Sequence, residues 1–123
     1  MPDTINDIEK EIQTFKENHP ETMGIIIIND EGMPIVSILG EDEDETGYAG
    51  ATAEFLTSIS RIAGYIGEKE AEFMMIKFNS TYFIVHHLSS GLVLGARFSS
   101  ATKLGIAFTL TQMLTKNLNK IIG

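Results

Sequence analysis

Cysteine is absent from this 123-residue chain. Disulfides and thiolate metal sites are therefore excluded, and a reducing compartment is consistent with the chain. Basic residues are scarce. Nine Lys and Arg stand against seventeen Asp and Glu, for a formal net charge of −8. Nucleic-acid modules normally carry a basic patch that releases counterions from phosphate. The balance here argues against DNA, RNA and anionic membrane as main partners, and leaves a basic protein surface open. No run approaches the ~20 apolar residues of a membrane span. The opening MPDTINDIEKEI lacks the basic start and apolar stretch of a signal peptide. The expectation is a cytoplasmic protein with no membrane insertion. No Pro/Gly/Ser linker and no internal repeat interrupts the sequence, which predicts a single domain over residues 1–123.

What is present is periodicity. Ile5, Ile8, Ile12 and Phe15 recur at three-and-four spacing, predicting a helix over 4–18 that Asp3 or Thr4 would cap and His19-Pro20 would end. Met23 to Asn29 reads as a strand. Ile25 to Ile28 are apolar without alternation, so both faces must be covered. Asn29 to Gly32 is turn chemistry, and Pro34 to Leu39 returns as the second arm of a hairpin. The acidic run Glu41 to Glu45 suits the positive end of a helix dipole, and a helix follows over 45–66.

That helix carries two stripes. Leu56, Ile59, Ala63 and Ile66, with Phe55 and Ile62 beside them, form an apolar face. Gly50, Ala53, Thr57, Ser60 and Gly64 form a face of small residues. An interior Gly costs ~1 kcal/mol against Ala, so two in one stripe point to a close approach by another helix. Strands follow over 72–78, 81–88 and 92–98, joined by short hairpins. A last helix starts near Ser100 or Thr102, with Leu104, Ala107, Phe108, Leu110, Met113, Leu114, Leu118 and Ile121 on its apolar face.

The fold class is α/β (α+β): a three-layer α/β/α arrangement with the order helix, two strands, helix, three strands, helix. Five strands at ~4.8 Å spacing span roughly 24 Å, and one helix covers ~10 Å. The first and third helices suffice for one face. The middle helix alone leaves the other face short by about one helix, which a second copy of the chain would supply.

The candidate chemistry is thin. His86 and His87 are adjacent on a strand, point to opposite faces and cannot chelate one ion. The acidic run lacks the loop pattern of a calcium site, and reads as a solvated loop before the helix. Gly91 to Gly95 lacks a GKS or GKT and is no phosphate loop. No serine lies in G-x-S-x-G, and no carboxylate pair converges on a recognisable motif. No cofactor, metal or catalytic residue is assigned, and the chain is not read as an enzyme. Arg97 is expected in a salt bridge within the chain. Arg61, between the two stripes, is a candidate partner contact. Gly95 and Ala96 are expected to leave room for a small molecule if the chain is instead a ligand-sensing domain. A profilin-like actin binder is a further alternative of related fold.

In order and spacing, GIIIINDEGMPIVS, AGATAEFLTSISRIAGYIG, YFIVHHL, GLVLGARF and LGIAFTLTQML resemble the roadblock family, named for the dynein light chain roadblock. The resemblance covers roughly residues 8–118. It implies a five-stranded antiparallel sheet in the order 2-1-5-4-3, and a homodimer or heterodimer in which the third strands pair and the middle helices lie together. Phe73, Met74, Met75, Ile76 and Phe78 would then form the pairing edge, with Gly50, Ala53, Thr57, Ser60 and Gly64 at the helix seam. An apolar edge strand is an aggregation hazard unless covered, so this implication agrees with the physics. The resemblance also implies a non-enzymatic scaffold or regulator that binds a small Ras-like GTPase.

Overall fold

A computed structural model describes residues 4–123. Its elements are α1 (Thr4–Asn18), β1 (Thr22–Ile28), β2 (Pro34–Leu39), α2 (Glu45–Ile66), β3 (Phe73–Lys77), β4 (Thr81–His87), β5 (Val93–Ser99) and α3 (Leu104–Ile122). The five strands form one antiparallel sheet in the order β2-β1-β5-β4-β3. The three-layer reading and the strand order therefore both hold.

α1 buries Ile8, Ile12 and Phe15, whereas Ile5 is half exposed and lies outside the core. Thr4 is itself the first helical residue; Asp3, the other expected cap, lies outside the described residues. The first hairpin turns as its residues dictate. The Asn29 side-chain oxygen accepts from the amides of Glu31 and Met33, and Gly32 takes φ 83°.

Alternation divides the sheet cleanly. Ile25, Ile27, Tyr82, Ile84, Leu94, Ala96 and Phe98 face α1 and α3. Ile26, Ile28, Phe83, Val85 and Val93 face α2. The run of four isoleucines is fully buried because each pair feeds a different core. α1 packs over β1 and β2, and α3 extends that cover over β5 toward β3, where the Phe108 and Phe73 ring centroids are 5.1 Å apart.

α3 departs from its expected apolar face. It buries Ala107, Thr111, Leu114, Thr115 and Leu118, and starts at Leu104 rather than near Ser100 or Thr102. Leu104, Phe108 and Met113 are exposed. Thr111 fits the core because its hydroxyl donates to the Ala107 carbonyl at 2.8 Å.

α2 lies over β2, β1 and β5, and approaches closely because two strand positions have no side chain. A Cβ at Gly95 would collide with the Thr52 hydroxyl, and one at Gly24 would meet the Tyr48 hydroxyl at 2.7 Å. The cavity expected at Gly95 and Ala96 is therefore absent. Thr52 fills the space above Gly95, and Ala96 is fully buried on the opposite face.

The start of α2 is fixed by the acidic run. Asp44 caps it, accepting from the Gly47 amide at 3.1 Å, and Glu45 accepts from the Ser37 hydroxyl at 2.6 Å. Glu43 is not the solvated loop residue expected. Its carboxylate accepts from the Tyr48 hydroxyl and, through both oxygens at 3.1 Å, from Arg97 on β5. This is the salt bridge expected for Arg97. Burial, reinforced by the neighbouring Glu43, pushes the Tyr48 phenol above its ordinary range and keeps it a donor.

Two outcomes follow from this seating. Gly95→Ala drives a methyl into Thr52 and Ile26 and is expected to cost about 1–3 kcal/mol in urea denaturation; adding Thr52→Ala recovers part of that loss. Glu43→Gln removes the charge facing Arg97 and is expected to cost about 1 kcal/mol, or about 4 °C in Tm, because the pair is partly open to water. Glu41→Gln, on the exposed part of the run, is the control and is expected to change stability by less than about 0.5 kcal/mol.

Candidate functional site

α2 has 22 residues, about 33 Å at 1.5 Å per residue, whereas the seven-residue strands beneath it span about 23 Å. Its last turn overhangs the sheet. Ile62 and Ile66, expected in the buried face, are 51% and 68% exposed, and Tyr65 beside them is 82% exposed. The buried face is Tyr48, Ala49, Thr52, Ile59 and Ala63.

The flanks of α2 differ in chemistry. On the side toward β3 and β4 a cleft of about 760 Å³ is lined by Ala51, Phe55, Phe78, Phe83 and Arg97. A smaller one of about 170 Å³ follows along the helix, between Ile62, Ile66, Phe73 and Met74. Together they trace an apolar groove over the part of the sheet that α2 leaves uncovered.

The small-residue stripe lies elsewhere on the helix. Gly50, Thr57, Ser60 and Gly64 are exposed, and a Cβ at Gly50 or Gly64 would touch nothing within 4 Å. Ala53 sits against Gly32 of the first hairpin, and Ser60 lines a cleft of about 720 Å³ with Asp30, Lys69 and Glu70. The stripe thus forms the outer and β2-side surface of α2. Arg61 is exposed on the same helix.

β3 ends the sheet, with β4 as its one strand neighbour. Its side chains split between faces. Phe73 stacks on His86 at 5.8 Å between ring centroids and meets Phe108, while Met75 packs on the α1–α3 core. Met74 faces the α2 groove. Ile76, 37% exposed, alternates onto that same side, and Phe78, 53% exposed, follows the strand. Phe73 and Met75 are therefore half-buried within the chain; the apolar surface offered outward is Met74, Ile76 and Phe78 with Phe55, Ile62, Tyr65 and Ile66. Sequence periodicity did not anticipate the exposure of Ile62, Tyr65 and Ile66. The available signal was the length of the helix relative to its strands.

The remaining candidates are placed by the strand pleat. His86 is buried on the α3 side and His87 is exposed on the other. Among the described residues, no three His, Asp or Glu side chains converge as metal ligands would. Nor is any helix among them long and apolar enough to cross a membrane. The arrangement combines an open strand edge, an apolar groove above it and a helix with an open outer face.

Comparison with known proteins agrees with this architecture. No curated protein sequence matches at a significant level. Among solved structures, MglB of Myxococcus xanthus superposes with a TM-score of 0.85 at 20% identity, covering 96% of this chain and 89% of that one. A Roadblock/LC7 domain from Streptomyces avermitilis gives 0.76 at 16% identity, covering 93% and 96%. The gliding protein MglB of Thermus thermophilus gives 0.75 at 15% identity, covering 93% and 89%. At these identities the likeness concerns the fold. The family model of the Roadblock/LC7 domain matches residues 9–98, from α1 to β5, and the chain belongs to the Roadblock/LC7 domain family.

Proposed function

We propose that the chain is a cytoplasmic, non-enzymatic scaffold or regulator that works as a dimer and binds a small Ras-like GTPase. The observation that carries the dimer is the uncovered groove between α2 and β3, lined by Ile62, Ile66, Phe73 and Met74, together with the exposure of Tyr65, Ile76 and Phe78. A row of unpaired backbone groups on an apolar edge strand demands a partner strand. A second copy supplies both missing parts at once: its β3 extends the sheet, and its α2 lies over the apolar groove. Phe73, Met74, Met75, Ile76 and Phe78 are assigned to this interface through β3. Gly50, Ala53, Thr57, Ser60 and Gly64 are assigned to it where the two helices cross, because residues without bulk let backbones approach.

Family membership supports a GTPase as the further partner, as the resemblance of GIIIINDEGMPIVS and the segments after it implies. Its place would be the α2 side of the dimer or the rim of the seam, with Arg61 as a contact. Regulation would proceed by reshaping the switch loops of the GTPase rather than by donating a catalytic group.

Sedimentation equilibrium tests the dimer. The wild-type chain is expected at twice its mass at micromolar concentration, Ile62→Asp at the mass of one chain, and Gly64→Leu as a weakened dimer. A wild-type monomer that does not respond to concentration overturns the reading. A Gly64→Leu dimer as tight as wild type confines the seam to the apolar flank and frees the stripe for the other partner.

Single-turnover GTP hydrolysis by a Ras-like GTPase, measured with increasing amounts of the chain, tests the regulator. Arg61→Ala is expected to raise the concentration needed for half-maximal effect and to leave the saturated rate within about twofold. An inserted arginine that stabilises the transition state is worth about 10³-fold or more. A loss of that size at saturation would therefore make Arg61 a catalytic donor and overturn the proposed mechanism.

A further inference from the structure

All seventeen acidic residues lie in the first 72 positions. The last 51 carry five basic residues and no acid. The fold turns this asymmetry of sequence into one of surface. α3 presents Lys116 and Lys120 to solvent, with Lys103 at its start, and has no carboxylate of its own. Beside these lysines Ile106 and Met113 are 51% and 53% exposed. They are seven residues apart, so they fall in line along the helix axis and form an apolar ridge two turns long.

A cleft of about 570 Å³ lies beside the Met113 end of this ridge, between α3 and the end of β4. Two buried side chains line it with unmet hydrogen-bonding capacity: His86 through Nε2 and Thr115 through Oγ1. The carbonyl of His87 lies 2.8 Å from His86 Nδ1. A carbonyl only accepts, so Nδ1 carries the hydrogen, and Nε2 of the neutral ring presents a lone pair that asks for a donor. Buried polar groups are rarely left in this condition.

We infer that the outer face of α3 docks an acidic amphipathic helix of a partner protein. Carboxylates of the partner would meet Lys116 and Lys120, and its apolar side chains would meet Ile106 and Met113. The acids bordering the face are Glu72 at one lip of the cleft and Glu11 on α1, and Asn117 donates to Glu11 at 3.2 Å. A bilayer fits less well. Polybasic membrane patches use about four to eight Lys and Arg, against three here on a chain of net charge −8, and a flat headgroup layer does not fill a cleft. This face lies across the sheet from the α2–β3 groove, so it is open whether or not the chain dimerises there.

Fluorescence anisotropy with a labelled Leu/Glu peptide of helical spacing tests the inference. Saturable binding that weakens with salt is expected, and Lys116→Glu/Lys120→Glu is expected to weaken it by about tenfold or more. Met113→Asp, which changes the apolar ridge and leaves the lysines, is expected to weaken it as well. Both changes are on the surface, and equal melting temperatures verify the fold. Equal binding by wild type and the charge-reversal variant overturns the inference, as does equal affinity for a Leu/Lys peptide of the same pattern. Binding of phosphatidylserine vesicles without binding of the peptide would replace it with a membrane surface. Growth in mass of the chain alone, lost in Lys116→Glu/Lys120→Glu, would replace the partner helix with a second copy.

Discussion

A sheet of five strands has two faces of equal area, and three helices cannot cover both. At ~4.8 Å per strand the sheet is about 24 Å wide, while a helix covers ~10 Å. α1 and α3 close one face. α2 is left alone on the other, over β2, β1 and β5. Phe83 and Val85 of β4 are buried on that side by the flank of α2, aided by edge-on contacts from Phe83 to Tyr48 and Phe55. Beyond them the cover runs out, and the apolar groups of β3 and the α2 overhang are left in water. At ~25 cal/mol per Å² of apolar area removed from water, such a surface favours association strongly enough to offset much of the entropy lost on docking. The incomplete layer and the proposed dimer surface are the same feature.

That position of α2 is held by small local choices. Gly24 and Gly95 admit the helix, Thr52 and Tyr48 occupy the space they leave, and Glu43 joins Tyr48 to Arg97 on β5. Nothing comparable fixes the C-terminal half, where Ala63 is the last buried residue and the chain leaves through Gly67 at φ 75°. The helix is anchored at one end and free of the sheet at the other. The end that is free is the end that carries Ile62, Tyr65 and Ile66.

Among the described residues, sequence periodicity found each α-helix and strand because each feeds an extended core; it read the short 3-10 turn Ser89–Gly91, which buries no side chain, as a hairpin connection. It found the order of the elements and the bounds of α2 for the same reason. It erred where the face of an element was right and the reach of the sheet was not. Ile66 points as Tyr48 does, five turns earlier, yet it is 68% exposed where Tyr48 is buried. Leu104 and Phe108 likewise flank the buried stripe of α3, and Thr111 and Thr115 occupy core positions that an apolar count passes over. Gly95 was legible as special, but a missing side chain reads equally as an empty space and as a space for Thr52. Only the packing of α2 decides between them. Glu43 was hidden in a run of five acids, because the residue that selects it, Arg97, lies 54 positions away.

Charge shows the same limit from the other direction. A net value of −8 describes no surface of this protein. Interactions between exposed charges fade beyond a Debye length of about 8 Å at physiological salt, so a docking partner meets the local charges and not the sum. α1, with Asp7, Glu9, Glu11 and Glu17, lies beside α3, with Lys116 and Lys120, and Asn117 marks the border by its bond to Glu11. One outer layer thus sets a net acidic helix, which also carries Lys10 and Lys16, beside a helix whose charged side chains are all basic. An argument from composition weighs against nucleic acid, because phosphate backbones present long arrays of charge that average over a whole face. It does not exclude a short acidic helix, whose footprint is no wider than α3 itself.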